Sequence, residues 1–458
     1  MTRDMTKGKP LPIIIKFCIP ILLGALFQQF YNATDAIIIG RFLGANALAA
    51  VGTTSALAFL ILGFVMGLCN GFGVHISQRF GAGDEREMRR FAGNAIYLGA
   101  VFAIVLTSVT IIFARPLLRL IEVPEDIIDL SYSYMIFIFA GIPFTMSYNF
   151  LTCLLRAMGD SKSALYFLAI ASVVNIGLDL LFIVVFDMGV GGAGLATVIS
   201  QVVAVLFCFT YIRRNYPILR LTKEDMKYSL NHCKKLFSTG VPMGLEFSIV
   251  AIGALILQRA VNGLGTLYIA SITTGNRISL MLYQPLEAVG LAMATFCGQN
   301  LGAKKLARIK SGIRSAMFVQ LCYSVFIGVV AWTLGKYFAQ AFVGSDEPEI
   351  IANVQFQLRV AGSSYMLIGI LFVLRNSLQG LGYSFMAMAG GSAELVGRIL
   401  VALILVPRFG FYGAVFAGAL AWLLSDSVLI PCYFVAMRKL RKTLFKPSDN
   451  GSKAVETM

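Results

Sequence analysis

Four polar side chains interrupt otherwise apolar stretches of this 458-residue chain: Asp35, Asn175, Asp179 and Thr197. Asn175 and Asp179 are spaced i,i+4, so they share one face of a helix, one turn apart. Two carboxylates held together away from water repel each other, and taking up a proton relieves the repulsion. The oxygens of all four residues could equally surround Na⁺, which neutralises the pair without protonation. A third reading is a fixed hydrogen-bond network that only ties helices together, since membrane bundles use polar side chains as glue.

A second set of charged residues lies in the later part of the chain: Glu246, Arg277, Glu287, Arg375, Glu394, Arg398 and Asp426. Glu394 and Arg398 are again one turn apart, which is the spacing of an intrahelical ion pair. Glu246 and Glu287 are candidates to line a cavity and attract a cation. The 35 Phe, 17 Tyr and 18 Met would suit amphipathic or cationic organic solutes there, through area burial, adaptable shape and cation–π contacts. His75 and His232 read as isolated, and the eight Cys show neither metal-ligand spacing nor a secreted disulfide pattern. No metal centre, cofactor or structural disulfide is expected, apart from Na⁺ at the acidic cluster. No HExxH site, nucleophile–base pair or glycine-rich phosphate loop points to an enzyme.

Membrane-spanning helices must position these residues. The chain is 58% hydrophobic and 13% charged, with a mean hydropathy of +0.79. That is more apolar surface than a soluble protein of this length can hide. The apolar residues come in runs of about 20 or more, enough for a helix rising 1.5 Å per residue to cross roughly 30 Å of hydrocarbon. The reading places twelve spans at 13–38, 46–74, 91–113, 130–155, 163–186, 190–212, 236–258, 266–293, 312–335, 353–375, 384–406 and 411–436. Asp35 then lies about 5 Å below the outer end of span 1, and Asp179 and Thr197 about 10 Å below the outer ends of spans 5 and 6. Three helices thus contribute to one layer in the outer half, and a buried intramembrane carboxylate is by default a functional site.

Charge sets the orientation. With the N-terminus inside, the inner segments carry 28 Lys and Arg and the outer loops six. This asymmetry puts both termini in the cytoplasm. The formal charge of +15 is therefore topology and contact with anionic lipid; no organised basic face for nucleic acid is present. The polar start runs straight into a full-length span without a small-residue cleavage pattern, so no cleaved leader is expected.

The chain also repeats itself. Gln78-Arg79-Phe80-Gly81-Ala82 matches Gln299-Asn300-Leu301-Gly302-Ala303, Leu43-Gly44 matches Leu264-Gly265, and Gly189 matches Gly410, all at an offset of 221. Leu155-Arg156-Ala157-Met158-Gly159 matches Leu378-Gln379-Gly380-Leu381-Gly382 at 223. The expected fold is all-α: two six-helix bundles related by a pseudo-two-fold axis along the membrane normal, a way to build a central cavity that opens alternately to each side. The expected division is an N-lobe at 1–212, a basic cytoplasmic linker at 213–235, a C-lobe at 236–440 and a polar tail at 441–458.

Over residues 10–440 the chain resembles the multidrug and toxic compound extrusion (MATE) antiporters, and their DinF-type branch more than the NorM type. The resemblance rests on Phe30-Tyr31-Asn32-Ala33-Thr34-Asp35, on Gly40-Arg41-Phe42-Leu43-Gly44 with Ala47 to Gly52, on Gln78 to Gly83, on Leu155 to Asp160, and on Pro285 to Ala303. It implies an antiporter of the inner membrane whose lobes rock about a central cleft, taking H⁺ or Na⁺ in as an organic cation goes out. It assigns the family's N-lobe cation site to Asp35, Asn175, Asp179 and Thr197, and the bending proline of helix 1 to Pro20. NorM-type members also use an acid in helix 10. Here span 10 carries Arg359 and Arg375 and no acid, which puts a C-lobe cation site of that kind in doubt. The resemblance implies a monomer that handles small organic solutes among membrane lipids. The alternative is a flippase for a polyprenyl-linked or other lipid-linked substrate, which Arg277 and Arg375 would support if both faced the cavity.

Overall fold

A computed structural model describes residues 4–344 and 346–444. From residue 445 the expected polar tail lies outside the described residues. The helices are α1 (Pro10–Leu43), α2 (Ala45–Ala82), α3 (Glu85–Ile112), α4 (Ala114–Leu120), α5 (Ile128–Ala140), α6 (Ile142–Ala157), α7 (Lys162–Leu180) and α8 (Gly189–Asn215). They continue as α9 (Leu230–Asn262), α10 (Thr266–Gly302), α11 (Leu306–Val343), α12 (Pro348–Gly380), α13 (Ser384–Leu400), α14 (Val406–Phe409), α15 (Phe411–Val415) and α16 (Ala417–Leu444). Among the described residues there is no strand. The protein is an all-α, multi-pass membrane fold: eleven helices are long and apolar enough to cross a bilayer, and the α5–α6 pair makes a twelfth.

Several helices outrun their expected spans. The apolar run of α2 stops near residue 74, but the helix continues through the polar stretch to Ala82, because backbone hydrogen bonds do not end where hydrocarbon does. It stops at Gly83, whose left-handed φ of 71° lets its N–H reach the carbonyls of Arg79 and Phe80. Span 4 corrects the reading: it is not one helix over 130–155 but two, bent by 49° at Gly141. Pro143 follows in the first turn of α6, where its missing N–H costs nothing. Span 5 closes with a π-turn over Leu181–Val185 and span 11 with another over Val401–Leu405.

The repeat is also written in the backbone. Ten of the twelve positive-φ residues among those described fall in pairs: Gly44 and Gly265, Gly83 and Lys304, Glu122 and Gly344, Gly159 and Gly382, and Gly189 and Gly410. Each of these turns is built twice, about 221 residues apart. The first half meets the second mainly where α2 packs on α9 and α10, and where α1 packs on α10. Glycine allows that approach. A β-carbon on Gly67 or Gly71 would run into the backbone of Met243 or Gly240, and one on Gly244 would press on Phe64. The outward faces carry Phe30, Ile104, Val173 and Leu403, all exposed, as lipid-facing positions should be.

The histidines are not isolated, contrary to the sequence reading. Phe91 of α3 stacks on His75 at 5.0 Å and meets the edge of His232 at 4.6 Å. His232 bonds Glu87 at 3.0 Å and His75 bonds Thr239 at 2.9 Å, which fastens the first turns of α9 to α2 and α3. The segment before α9 is likewise docked: Arg89 pairs with Asp225 at 3.3 Å, and the Tyr216 hydroxyl donates to Asp160 at 2.6 Å. Both contacts lie on the face that carries the basic loops. A membrane-impermeant maleimide should therefore label Pro124→Cys and Asp346→Cys in intact cells, and Lys223→Cys and Lys304→Cys only in inside-out vesicles. Labelling of residue 223 or 304 from outside would overturn the twelve-span path.

Candidate functional site

α1, α7 and α8 pack side by side and bring together the four residues expected from depth. Asn175 and Asp179 are fully buried, and Asp35 and Thr197 are half-buried. The Asp35 and Asp179 carboxyls are neighbours across the α1–α7 contact. The Asn175 amide, oriented to satisfy both neighbours, donates to Asp179 Oδ2 at 2.9 Å and accepts from the Thr197 N–H at 3.2 Å. The Thr197 hydroxyl donates to the Ala193 carbonyl at 3.1 Å, which leaves its oxygen free to accept. One oxygen of each carboxyl, Asp35 Oδ1 and Asp179 Oδ1, is buried without a partner. A buried carboxylate pair with unanswered oxygens is costly, and a shared proton or a small cation would answer both.

Two residues beside this cluster escaped the sequence reading. The Tyr31 hydroxyl stands 3.4 Å from Thr197 Oγ1, and Tyr134 of α5 packs against the apolar cluster of Ile38, Ile39 and Ile183 that adjoins the acids in sequence. Tyr31 is four residues before Asp35 on the same helix, so the i,i+4 rule carried the signal. The π-turn begins two residues after Asp179; such turns shift the register of the helix beyond them and recur at functional sites. Pro20 is buried in α1, and the helix runs through it without a break. Having no N–H, it leaves the carbonyl one turn earlier free; next to that carbonyl, the Ser161 hydroxyl donates to Phe17 O at 2.9 Å.

The second half builds a different network. Arg375 of α12 meets Glu246 of α9 at 2.9 Å and Glu394 of α13 at 3.9 Å. Arg398 meets Glu394 at 2.6 Å, which is the intrahelical pair expected from spacing. Gln379 donates to the other Glu246 oxygen at 2.8 Å. Glu246 is thus neutralised by a helix that its own sequence neighbourhood does not name. Glu287 has no Arg or Lys within ion-pair distance among the described residues, only the Gln284 amide at 3.3 Å. Both glutamates line one cavity of about 70 Å³, together with Asn70, Arg156 and Thr295. That is room for ordered water. Arg375 is doubly paired with acids, whereas Arg156, bonded to the neutral Asn70 amide at 3.0 Å, is the one arginine of the cavity lining without an acidic partner among the described residues. Arg277 is exposed and lies outside it. Asp426 of α16 is buried with neither oxygen partnered, and it also lies outside the lining. Among the described residues no three His, Cys, Asp or Glu come together as a metal site, and the eight cysteines are unpaired.

The arrangement has known relatives. A family model described as MatE matches residues 20–181 and 242–404, one block in each half. The probable multidrug resistance protein YpnP of Bacillus subtilis is 32% identical over 390 residues, covering 83% of this chain and 84% of the relative. The multidrug export protein MepA of Staphylococcus aureus is 25% identical over 409 residues, covering 88% of this chain and 87% of its own. Among solved structures, a MATE protein crystallised in a bent conformation superposes with a TM-score of 0.89 at 22% identity, covering 97% of this chain and 100% of that one. An outward-facing multidrug resistance transporter of the same family gives a TM-score of 0.87 at 22% identity, covering 97% and 98%. At that identity the likeness concerns the fold.

Proposed function

The chain belongs to the MatE family of multidrug and toxic compound extrusion transporters, and from that premise we propose that it is an antiporter of the cell's inner (plasma) membrane. It exports organic, cationic and amphipathic solutes in exchange for H⁺ or Na⁺ by alternating access. It is a secondary transporter of organic solutes and not an enzyme. The observation that carries the coupling step is the pair of adjacent carboxyls, Asp35 and Asp179, each with a buried, unpartnered oxygen. An ion bound there drives transport only if its affinity differs between the two states of the cleft. The half-buried position of Asp35, on a helix with a proline fifteen residues earlier, supports such a difference: a change in how α1 packs on α7 and α8 opens or closes the pair.

The division into lobes at 1–212 and 236–440, with 213–235 as the connection, fits the two blocks of the family match and the paired turns. The acids of the first half, together with a span 10 that has none, support the DinF-type branch. Glu246 and Glu287 line the space in which the halves meet and supply negative charge for a cationic cargo. The acidic cluster and the tied Arg375 weigh against the flippase reading. Purified protein in sealed vesicles tests the proposal: the ion is the one whose gradient alone accelerates export of a lipophilic cation such as ethidium. Two carboxyls sharing a proton favour H⁺. In that case Thr197→Ala costs little, because its hydroxyl only tunes the carboxyls; were Na⁺ the ion, the same change would remove a ligand oxygen and cost most of the coupling. Acceleration by neither gradient would refute the antiport reading.

A further inference from the structure

The strongest internal repeat of the sequence, Gln78 to Ala82 with Gln299 to Ala303, is not used by the ion site. In the fold these segments are the ends of α2 and α10 on the basic face, and each reaches across to the opposite half. Gln78 Nε2 donates to the Gly380 carbonyl at 3.0 Å, and Gln299 Nε2 donates to the Ala157 carbonyl at 2.9 Å. Gly380 and Ala157 are the last residues of α12 and α6, so each glutamine satisfies a carbonyl that its helix leaves without an intrahelical partner. The two bonds are images of each other under the repeat. Around them the backbones touch: a β-carbon on Gly81 would run into the Gln299 carbonyl, and one on Gly302 into the Gln78 carbonyl. Gln299 is fully buried, and a segment that precedes α1 holds it from behind. Its Oε1 accepts the Met5 N–H at 2.8 Å, and Asn300 and Arg308 bind the Met5 carbonyl at 3.2 and 3.0 Å. On the outer face the halves meet through Arg259 and Glu122 at 3.1 Å, both largely exposed, and such a pair contributes little in water.

We propose that Gln78 and Gln299 are the latch of the basic-face gate: a reciprocal pair of hydrogen bonds that must both break before the central cavity can open to the cytoplasm. They are positioning residues, acting on the equilibrium between states and touching neither ion nor cargo. The latch rests on the alternating-access reading, but not on which residues bind the ion.

Two native cysteines supply the readout. Cys153 lines the small cavity above the latch, and Cys208 is fully buried in the packing of the first half. Inside-out vesicles holding wild type or the Gln78→Ala, Gln299→Ala double variant are treated with an impermeant maleimide, and the modified cysteines are located by peptide mass spectrometry. The double variant should react at Cys153 about tenfold faster, the shift that about 1.4 kcal/mol produces, with Cys208 unchanged; each single variant should fall between. Gly302→Ala, which wedges the same contact without touching either amide, should act in the same direction. If the glutamine variant does not insert, this one carries the test. Equal rates at Cys153 would overturn the latch, and so would a parallel rise at Cys208, which would report general loosening. Because no gradient or cargo is present, failure here leaves the coupling proposal standing, and failure of coupling leaves the latch to be judged on labelling alone.

Discussion

Asp35→Asn is expected to insert, fold and bind cargo as wild type does, while gradient-driven export falls to the rate of protein-free vesicles. The substitution keeps the size of the side chain and removes its charge, so it separates electrostatics from shape. Asp35 Oδ1 and Asp179 Oδ1 are both buried and unpartnered. With one carboxyl neutral, the remaining one gains an amide donor and loses the repulsion that made binding of an ion favourable. Cargo binding then persists without an ion whose affinity depends on state, and a ligand that does not discriminate between states cannot shift their balance. Asp179→Asn should do nearly the same, since Asn175 can still orient against it. Export at the wild-type rate by either single variant in a reconstituted assay would show that the carboxyls do not act as a pair.

Arg375→Ala should have the largest effect on stability. Arg375 joins Glu246 and Glu394, each of which is about 5% exposed or less at the side chain. Removing the guanidinium strands Glu246 in the protein interior, and breaking a buried pair from one side costs about 3–5 kcal/mol. That is a large fraction of the stability of a folded domain. The variant should be recovered at a small fraction of the wild-type amount, with melting well below it, whereas Glu246→Gln with Arg375→Met should regain much of the loss, because no charge is then left alone. A single Arg375→Ala variant as stable as wild type would mean that water reaches Glu246 and that the network is not structural. The same logic refines Glu246: its role toward cargo is exerted through a charge already shared with Arg375, so Glu287, which lines the same cavity without such a partner, is the freer acid.

What could be read from the sequence follows from which geometry is local. Asp35, Asp179 and Thr197 were legible because depth below the surface is counted along a helix: two counts agreed, and the third fell in the same outer half. Asn175 and Asp179 needed only the pitch of the helix, and so did Glu394 with Arg398. The paired turns at Gly44 and Gly265, or Gly189 and Gly410, were legible as a constant offset. Partners supplied by another helix were not. Arg375 stood at the edge of an apolar run, and nothing in that run says that it turns toward Glu246. Tyr134 is brought to the apolar residues beside the acids by α5, whose separation from α6 by the bend at Gly141 has no apolar signature. Gln78 and Gln299 were visible as a repeat, but a repeat states that two segments are alike; that they cross and bind each other's halves is a property of the assembled bundle.

The measurement closest to the central claim is cation accumulation by the Asp35→Asn, Asp179→Asn double variant in sealed vesicles, with a pH gradient and a Na⁺ gradient imposed separately. A one-unit pH gradient spent on one-for-one exchange of H⁺ with a monovalent cation carries about 1.4 kcal/mol, enough for about tenfold accumulation. Wild type should approach that level with the coupling ion. The double variant should bind ethidium yet show no accumulation beyond equilibrium under either gradient. Accumulation by the double variant at the wild-type level would contradict the account, leave the cluster of Asp35, Asn175, Asp179 and Thr197 as structural glue, and move the coupling site to Glu246, Glu287 and Glu394.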